Sequence, residues 1–244
     1  MANSALSCPI PSCKLRRAGF CAGALLLLGG LGGTALADRS LAVTATVAGP
    51  ARVIDGDTIE ISGERIRLEG IDAPETAQTC TSAAGLTWAC GQEAGKVLRA
   101  LTSGSDVACD SRGRDKYGRT LAICYSGGID LNGQMVRSGY AWAFVKYSTE
   151  YVAAETQARA GKAGVWQGAA QAPWDFRHGE WQVAETTAPG GCAIKGNISG
   201  HGHIYHVPWG PWYDKVSVNE ARGEHWFCSE ADAMAAGWRA AMPN

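Results

Sequence analysis

Within the nine residues RLEGIDAPE, from Arg67 to Glu75, the chain delivers an arginine, an aspartate and a glutamate just where a strand pattern runs out. Two further stretches carry the same chemical kinds: VIDGDT at 53–58, with Asp57, and DKYGR at 115–119, ending on Arg119. Hard cations such as calcium bind carboxylate and carbonyl oxygens. Forked guanidiniums match the oxygens of a phosphate. Carboxylates for a metal, a further glutamate as base and two arginines make a coherent set for cleaving a phosphodiester. Taken singly, each residue reads more simply as a surface charge or a turn residue, and Asp55-Gly56 is a favoured hairpin dipeptide. Five together are poorly explained that way. A helix-loop-helix calcium loop is excluded, because its twelfth position counted from Asp55 is Ile66 rather than glutamate.

The elements that must hold these residues are short. Leu41 to Val47, Arg52 to Ile61 and Glu64 to Ile71 have strand patterning, with turns at Gly49-Pro50 and Ser62-Gly63 and with Asp55 to Thr58 between strands. Pro74 ends the last of them, placing Asp72 and Glu75 at its rim. A polar loop follows from Glu75 to Cys90. Ala94, Val97, Leu98 and Leu101 make one apolar face of a helix from about Gln92 to Thr102. Strands are expected at Asp106 to Cys109 and Thr120 to Tyr125, with a basic loop from Arg112 to Arg119 between them. Helices are expected near Leu131–Ser138 and Glu150–Lys162. Short strands with a few helices point to a small α+β barrel.

Residues 1–37 read as an export signal: Lys14, Arg16 and Arg17, then a small apolar run, then Ala35-Leu36-Ala37 before the expected cleavage. Cleavage after Ala37 would leave 207 of the 244 residues. The signal holds three basic and no acidic residues, so the formal net charge would go from −1 to −4. No global basicity announces a nucleic-acid binder, and any anion site is therefore a local cluster. Of nine cysteines, six lie beyond residue 37: Cys80, Cys90, Cys109, Cys124, Cys192 and Cys228. An even number in an exported chain reads as a disulfide framework, and only structural context selects its pairing.

The three stretches VIDGDT, RLEGIDAPE and DKYGR resemble the signature motifs of the thermonuclease, or staphylococcal-nuclease-like, family. The resemblance covers roughly residues 45–170 and ends near Gly164-Val165-Trp166. It implies a five-stranded barrel of the oligonucleotide-binding (OB) type with about three helices, and calcium-dependent cleavage of DNA or RNA. It also implies roles. Asp57 and Asp72 hold Ca²⁺ with the backbone carbonyl of Ala73, where the family often has threonine. Glu75 acts as general base, and Arg67 and Arg119 stabilise the five-coordinate phosphorus. Lys116, Tyr117 and Tyr147 are candidates to contact a nucleotide. For both tyrosines an ordinary surface role is an equal alternative.

The expected organisation is a signal at 1–37, a barrel domain at 42–178, a linker at 179–191 and a small domain at 192–244. The last holds four of the five histidines and four of the nine tryptophans. It resembles a C-terminal module carried by some secreted bacterial nucleases of this type. The expected disulfides are Cys109–Cys124, if their strands pair, then Cys80–Cys90 across the insert, and Cys192–Cys228 stapling the small domain. His201, His203 and His206 offer transition-metal ligands. The simpler reading is a wet loop with His206 in a small core, ahead of a closing helix at Glu230 to Ala240. The expected partner is DNA or RNA, with no membrane span after cleavage and no protein partner. Two other functions stay open: a non-catalytic barrel that binds nucleic acid or protein, and an envelope- or metal-binding role for the last domain.

Overall fold

Alternating apolar residues build a barrel from five strand directions. In the computed structural model, which describes residues 47–241, the strands are β1 (Val47–Gly49), β2 (Ala51–Val53), β3 (Thr58–Ile61), β4 (Glu64–Leu68), β5 (Val107–Arg114) and β6 (Thr120–Ser126). The signal-like segment 1–37 and most of Leu41–Val47 lie outside the described residues. β1 and β2 are one strand direction interrupted at Pro50, which lacks the N–H a ladder needs. β1 pairs with β5, β5 with β6, β6 with β4, β4 with β3 and β3 with β2. The sheet thus returns to the strand it started from. The β4–β6 pairing is parallel, with Arg67 opposite Leu121, and the others are antiparallel. This is a five-stranded barrel of the OB type, the fold that the family resemblance implies.

Inward residues of these strands make the core. Ile59, Ile61, Ile66 and Leu68 are fully buried. Burying each such side chain stabilises the fold by about 1.5–3 kcal/mol. Three helices cover the barrel: α1 (Cys90–Thr102), α2 (Leu131–Arg137) and α3 (Val152–Ala160). α1 presents Ala94 and Leu98 to the core, while α2 presents Leu131, Met135 and Val136. Asp130 caps α2 by accepting from Gly133 N at 3.0 Å. β5 reaches five residues further than the expected end at Cys109. It continues through a bulge between Ser111 and Gly113, so Arg112 and Arg114 stand on a strand and not in a free loop. Arg114 pairs across to Glu64 at 2.9 Å.

The stretch expected as a linker is another difference. Residues 173–187 form one helix, α4 (Pro173–Thr187), helical through nine of the thirteen residues from 179 to 191. Pro173 fits the first turn, where its missing N–H costs nothing. Gly179 and the polar residues after it looked like loop composition, but tertiary contacts on Trp181 and Ala184 overrule that local preference. Beyond it, β7 (Ile194–Ser199) pairs with β8 (Gly202–His206) and β9 (His225–Phe227), and α5 (Glu230–Ala235) leads to β10 (Arg239–Ala240) beside β8. The expected wet loop of histidines is therefore strand β8. The expected closing helix stops at Ala235, because Gly237 takes a φ of 84° and the chain turns into β10.

Disulfides join Cys80 to Cys90, Cys109 to Cys124 and Cys192 to Cys228. Cys109 and Cys124 face each other in the β5–β6 ladder. Among the described residues no helix is long and apolar enough to cross a membrane.

Candidate active site

The site forms where the start of β3, the end of β4 and the chain after β4 meet. Asp57 sits at the start of β3 because Gly56 lets the turn press inward. A Cβ at Gly56 would lie 2.7 Å from the Cβ of Ala73 and 2.8 Å from that of Ala94. Arg67 ends the outward row of β4, directly opposite Thr58. Asp72 lies in a two-residue bridge, Ile71–Asp72 with Trp142–Ala143, where it faces Trp142. Pro74 then turns the chain and delivers Glu75. α1 packs hard against this turn, since a Cβ on Gly91 would collide with the Glu75 carbonyl oxygen.

Asp57 and Asp72 are almost fully buried, at 2% and 0% exposure. Both carboxylates converge on Arg67: one guanidinium nitrogen pairs with Asp57, and the other reaches Asp72 Oδ1 at 2.7 Å. The backbone N–H of Ala73 donates to Asp57 Oδ2 at 2.7 Å, and Thr58 Oγ1 donates to Oδ1 at 3.2 Å. A buried carboxylate stays charged only when paired and hydrogen-bonded in this way. Asp55, which the sequence presents as a turn residue, belongs to the same cluster. Its carboxylate accepts from Asp57 N at 3.0 Å. Burial pushes it up, while Arg67, Thr58 and Arg119 pull it down.

The residue that sequence reasoning missed is Arg177. From the first half of α4 its guanidinium donates to Asp72 Oδ2 at 2.8 Å and Oδ1 at 3.1 Å, and to Glu75 Oε1 at 2.7 Å. Glu75 is pushed up to about 7 by burial, against the pull of the Arg177 charge and hydrogen bond, with Asp55 and Asp72 adding to the rise. Nothing in APWDFRHGEW marks Arg177 as special. Its partners lie about a hundred positions away, and no local pattern records such a contact.

Arg119 stands apart from the buried cluster. Its Nε donates to Asp115 Oδ2 at 2.7 Å, and its backbone N–H donates to Asp115 Oδ1 at 2.9 Å. Asp115 also accepts from Tyr117 N, so this side chain shapes the whole DKYGR turn. Arg119 nonetheless acts electrostatically on Asp55. Lys116 lies over the Tyr117 ring at 4.8 Å, with Arg119 at 5.3 Å. Burial and the nearby Glu230 carboxylate push the Tyr117 hydroxyl up. Glu230 belongs to α5, so the last module touches the basic turn. Tyr147 is 67% exposed and meets Phe144 edge-on. Phe144 in turn stacks on Trp174 of α4, at 5.5 Å and 9°.

The donors Asp57, Asp72 and the Ala73 carbonyl are hard oxygens, the chemistry a calcium ion takes. Among the described residues no three His, Cys, Asp or Glu side chains form a metal cage. These donors would fit an open site, its shell completed by oxygens from outside the protein. In the last module His206 Nε2 lies 2.8 Å from Asn197 Oδ1, and His203 stacks on Trp238 at 4.8 Å.

A family model described as staphylococcal nuclease homologue matches residues 65–168. The chain is 40% identical over 127 residues to the succinoglycan biosynthesis protein ExoI of Rhizobium meliloti, covering 50% of this chain and 65% of that protein, just under two thirds. It is 37% identical over 135 residues to an uncharacterized endonuclease of Escherichia coli, covering 52% of this chain and 82% of that protein. It is also 34% identical over 144 residues to the micrococcal nuclease of Shigella flexneri, covering 52% and 77%. α4 and Arg177 lie beyond the stretch that the family model matches.

Proposed function

The chain belongs to the family of staphylococcal nuclease homologues, and from that membership we propose that it is an exported, calcium-dependent hydrolase of phosphodiester bonds in DNA or RNA. The relatives named endonuclease and micrococcal nuclease support the reaction class. The single observation that carries the reading is the convergence of Asp57 and Asp72 on Arg67 at a strand end, with Glu75 beside them. Three disulfides fit an oxidising compartment.

The residue roles follow from their chemistry. Asp57, Asp72 and the Ala73 carbonyl would hold Ca²⁺, which supplies Lewis-acid charge against the phosphoryl oxygens. Glu75 accepts the proton of the attacking water. A base that titrates near neutrality is well matched to that step. Arg67, already beside both carboxylates, donates to the oxygens on which charge builds. Arg119, held by Asp115 on the DKYGR turn, would donate to the same oxygens. Lys116, Tyr117 and Tyr147 would offer charge and ring faces to a nucleotide.

Digestion of single-stranded DNA, double-stranded DNA and RNA, with calcium and with chelator, tests this reading. Cleavage that needs calcium and disappears in Asp57→Ala is expected. Full activity in excess chelator, with Asp57→Ala equally active, would refute the metal-assisted mechanism. No cleavage of any substrate by folded protein would favour a non-catalytic barrel.

A further inference from the structure

A second positive charge at Asp72, and the one that Glu75 pairs with, comes from α4, a helix outside the family's matched stretch. Asp72 Oδ1 accepts from Arg67 at 2.7 Å and from Arg177 at 3.1 Å, and Oδ2 accepts from Arg177 at 2.8 Å. A carboxylate has about four lone-pair positions, so three of them at Asp72 are already used.

The Arg177 side chain does not dangle from solvent. Gln78 Nε2 donates to the Gln171 carbonyl at 2.7 Å, tying the approach to α4 to the loop after Glu75. Trp174, one turn before Arg177, is stacked on Phe144. At the far end Trp181, Ala184 and Ala188 pack with Tyr213 and Trp226 of the last module. The helix is thus held at both ends, and the Arg177 side chain is only 23% exposed.

We propose that Arg177 is a resident counter-cation of the carboxylate site, so that helix α4 raises the calcium concentration at which the site loads. The proposal rests on the metal reading above. A cation bound through Asp72 sits within a few ångström of a fixed guanidinium. Two like charges at that range repel each other even where water screens them, and a divalent ion feels this twice over. Removing the guanidinium should therefore tighten calcium binding by about tenfold or more. A residue that merely supported the carboxylates would give the opposite sign, because its loss would loosen the ligands and weaken binding.

The test is calorimetric titration of the full chain with calcium chloride, using Asp57→Ala as the blank for ions held elsewhere. Arg177→Gln is expected to bind calcium about tenfold or more tightly than the unaltered protein. Equal or weaker binding by a folded Arg177→Gln overturns the proposal and leaves the nuclease reading intact. Should Arg177→Gln lose its circular dichroism spectrum, Arg177→Met keeps the apolar stem, removes the charge and answers by the same titration. No calcium binding in any variant, with cleavage persisting in chelator, defeats the metal reading and this proposal together.

Discussion

Glu75 carries the sharpest prediction at the scale of single residues. Its Oε1 accepts from Arg177, and burial has brought its proton affinity close to neutrality. Glu75→Gln keeps the side chain's shape and removes its capacity as a base. Turnover should fall about 10²–10⁴-fold, the usual contribution of one positioned acid–base group. Single-turnover cleavage of a short DNA checks it, with circular dichroism to confirm the fold. Near-normal turnover would remove Glu75 from the mechanism. Arg67 differs in kind, because it bridges Asp57 and Asp72 as well as facing solvent. Its replacement would unsettle two buried carboxylates at once, so a loss of activity there says less about chemistry.

At the scale of elements, the barrel's hold on the site runs through α2. Asn132 is fully buried, and its side chain spans three elements. Oδ1 accepts from Cys124 N at 3.1 Å, and Nδ2 donates to the carbonyls of Glu69 at 2.9 Å and Ala122 at 3.1 Å. Glu69 lies in the segment joining Arg67 to Asp72, so this amide braces the active loop from below. Asn132→Ala would leave the Cys124 N–H and the Glu69 carbonyl without these partners. Stability should drop by about 2–6 kcal/mol, at roughly 1–3 kcal/mol for each of the two orphaned buried groups. Urea denaturation followed by tryptophan fluorescence measures it. A change below about 0.5 kcal/mol would mean that the loop is braced elsewhere.

At the scale of the whole molecule, the last module gives the fold a pH dependence of its own. His206, at the end of β8, is buried beside Asn197 of β7. Burial and the Lys195 charge lower its proton affinity below the ordinary value of 6.5. The unfolded chain then binds this proton more readily than the folded one. The contribution of His206 to stability is therefore complete above about pH 6.5 and is lost as the pH falls from there through the folded value. Melting temperatures of the unaltered protein and of His206→Gln, compared from pH 7.5 down to pH 5, should diverge only in the acid half. Parallel curves across that range would show that His206 takes up its proton without cost.

Most of the barrel and of the carboxylate cluster is legible in local patterns. Strand alternation, a proline after Asp72 and turn residues around Asp57 act over a few neighbours, so Asp57, Arg67, Asp72 and Glu75 could be placed at strand ends before any contact was known. The cysteines at the strand positions of β5 and β6 were legible in the same way. The rest of the site depends on contacts between distant segments. Gly179 and the polar residues after it looked like a linker, yet packing on Trp181 and Ala184 draws them into a helix. That helix carries Arg177 onto Asp72 and Glu75, and α5 carries Glu230 to Tyr117. The Arg177 and Glu230 contacts join residues about a hundred or more positions apart, where the gain comes from burying and pairing groups that no nearby residue announces.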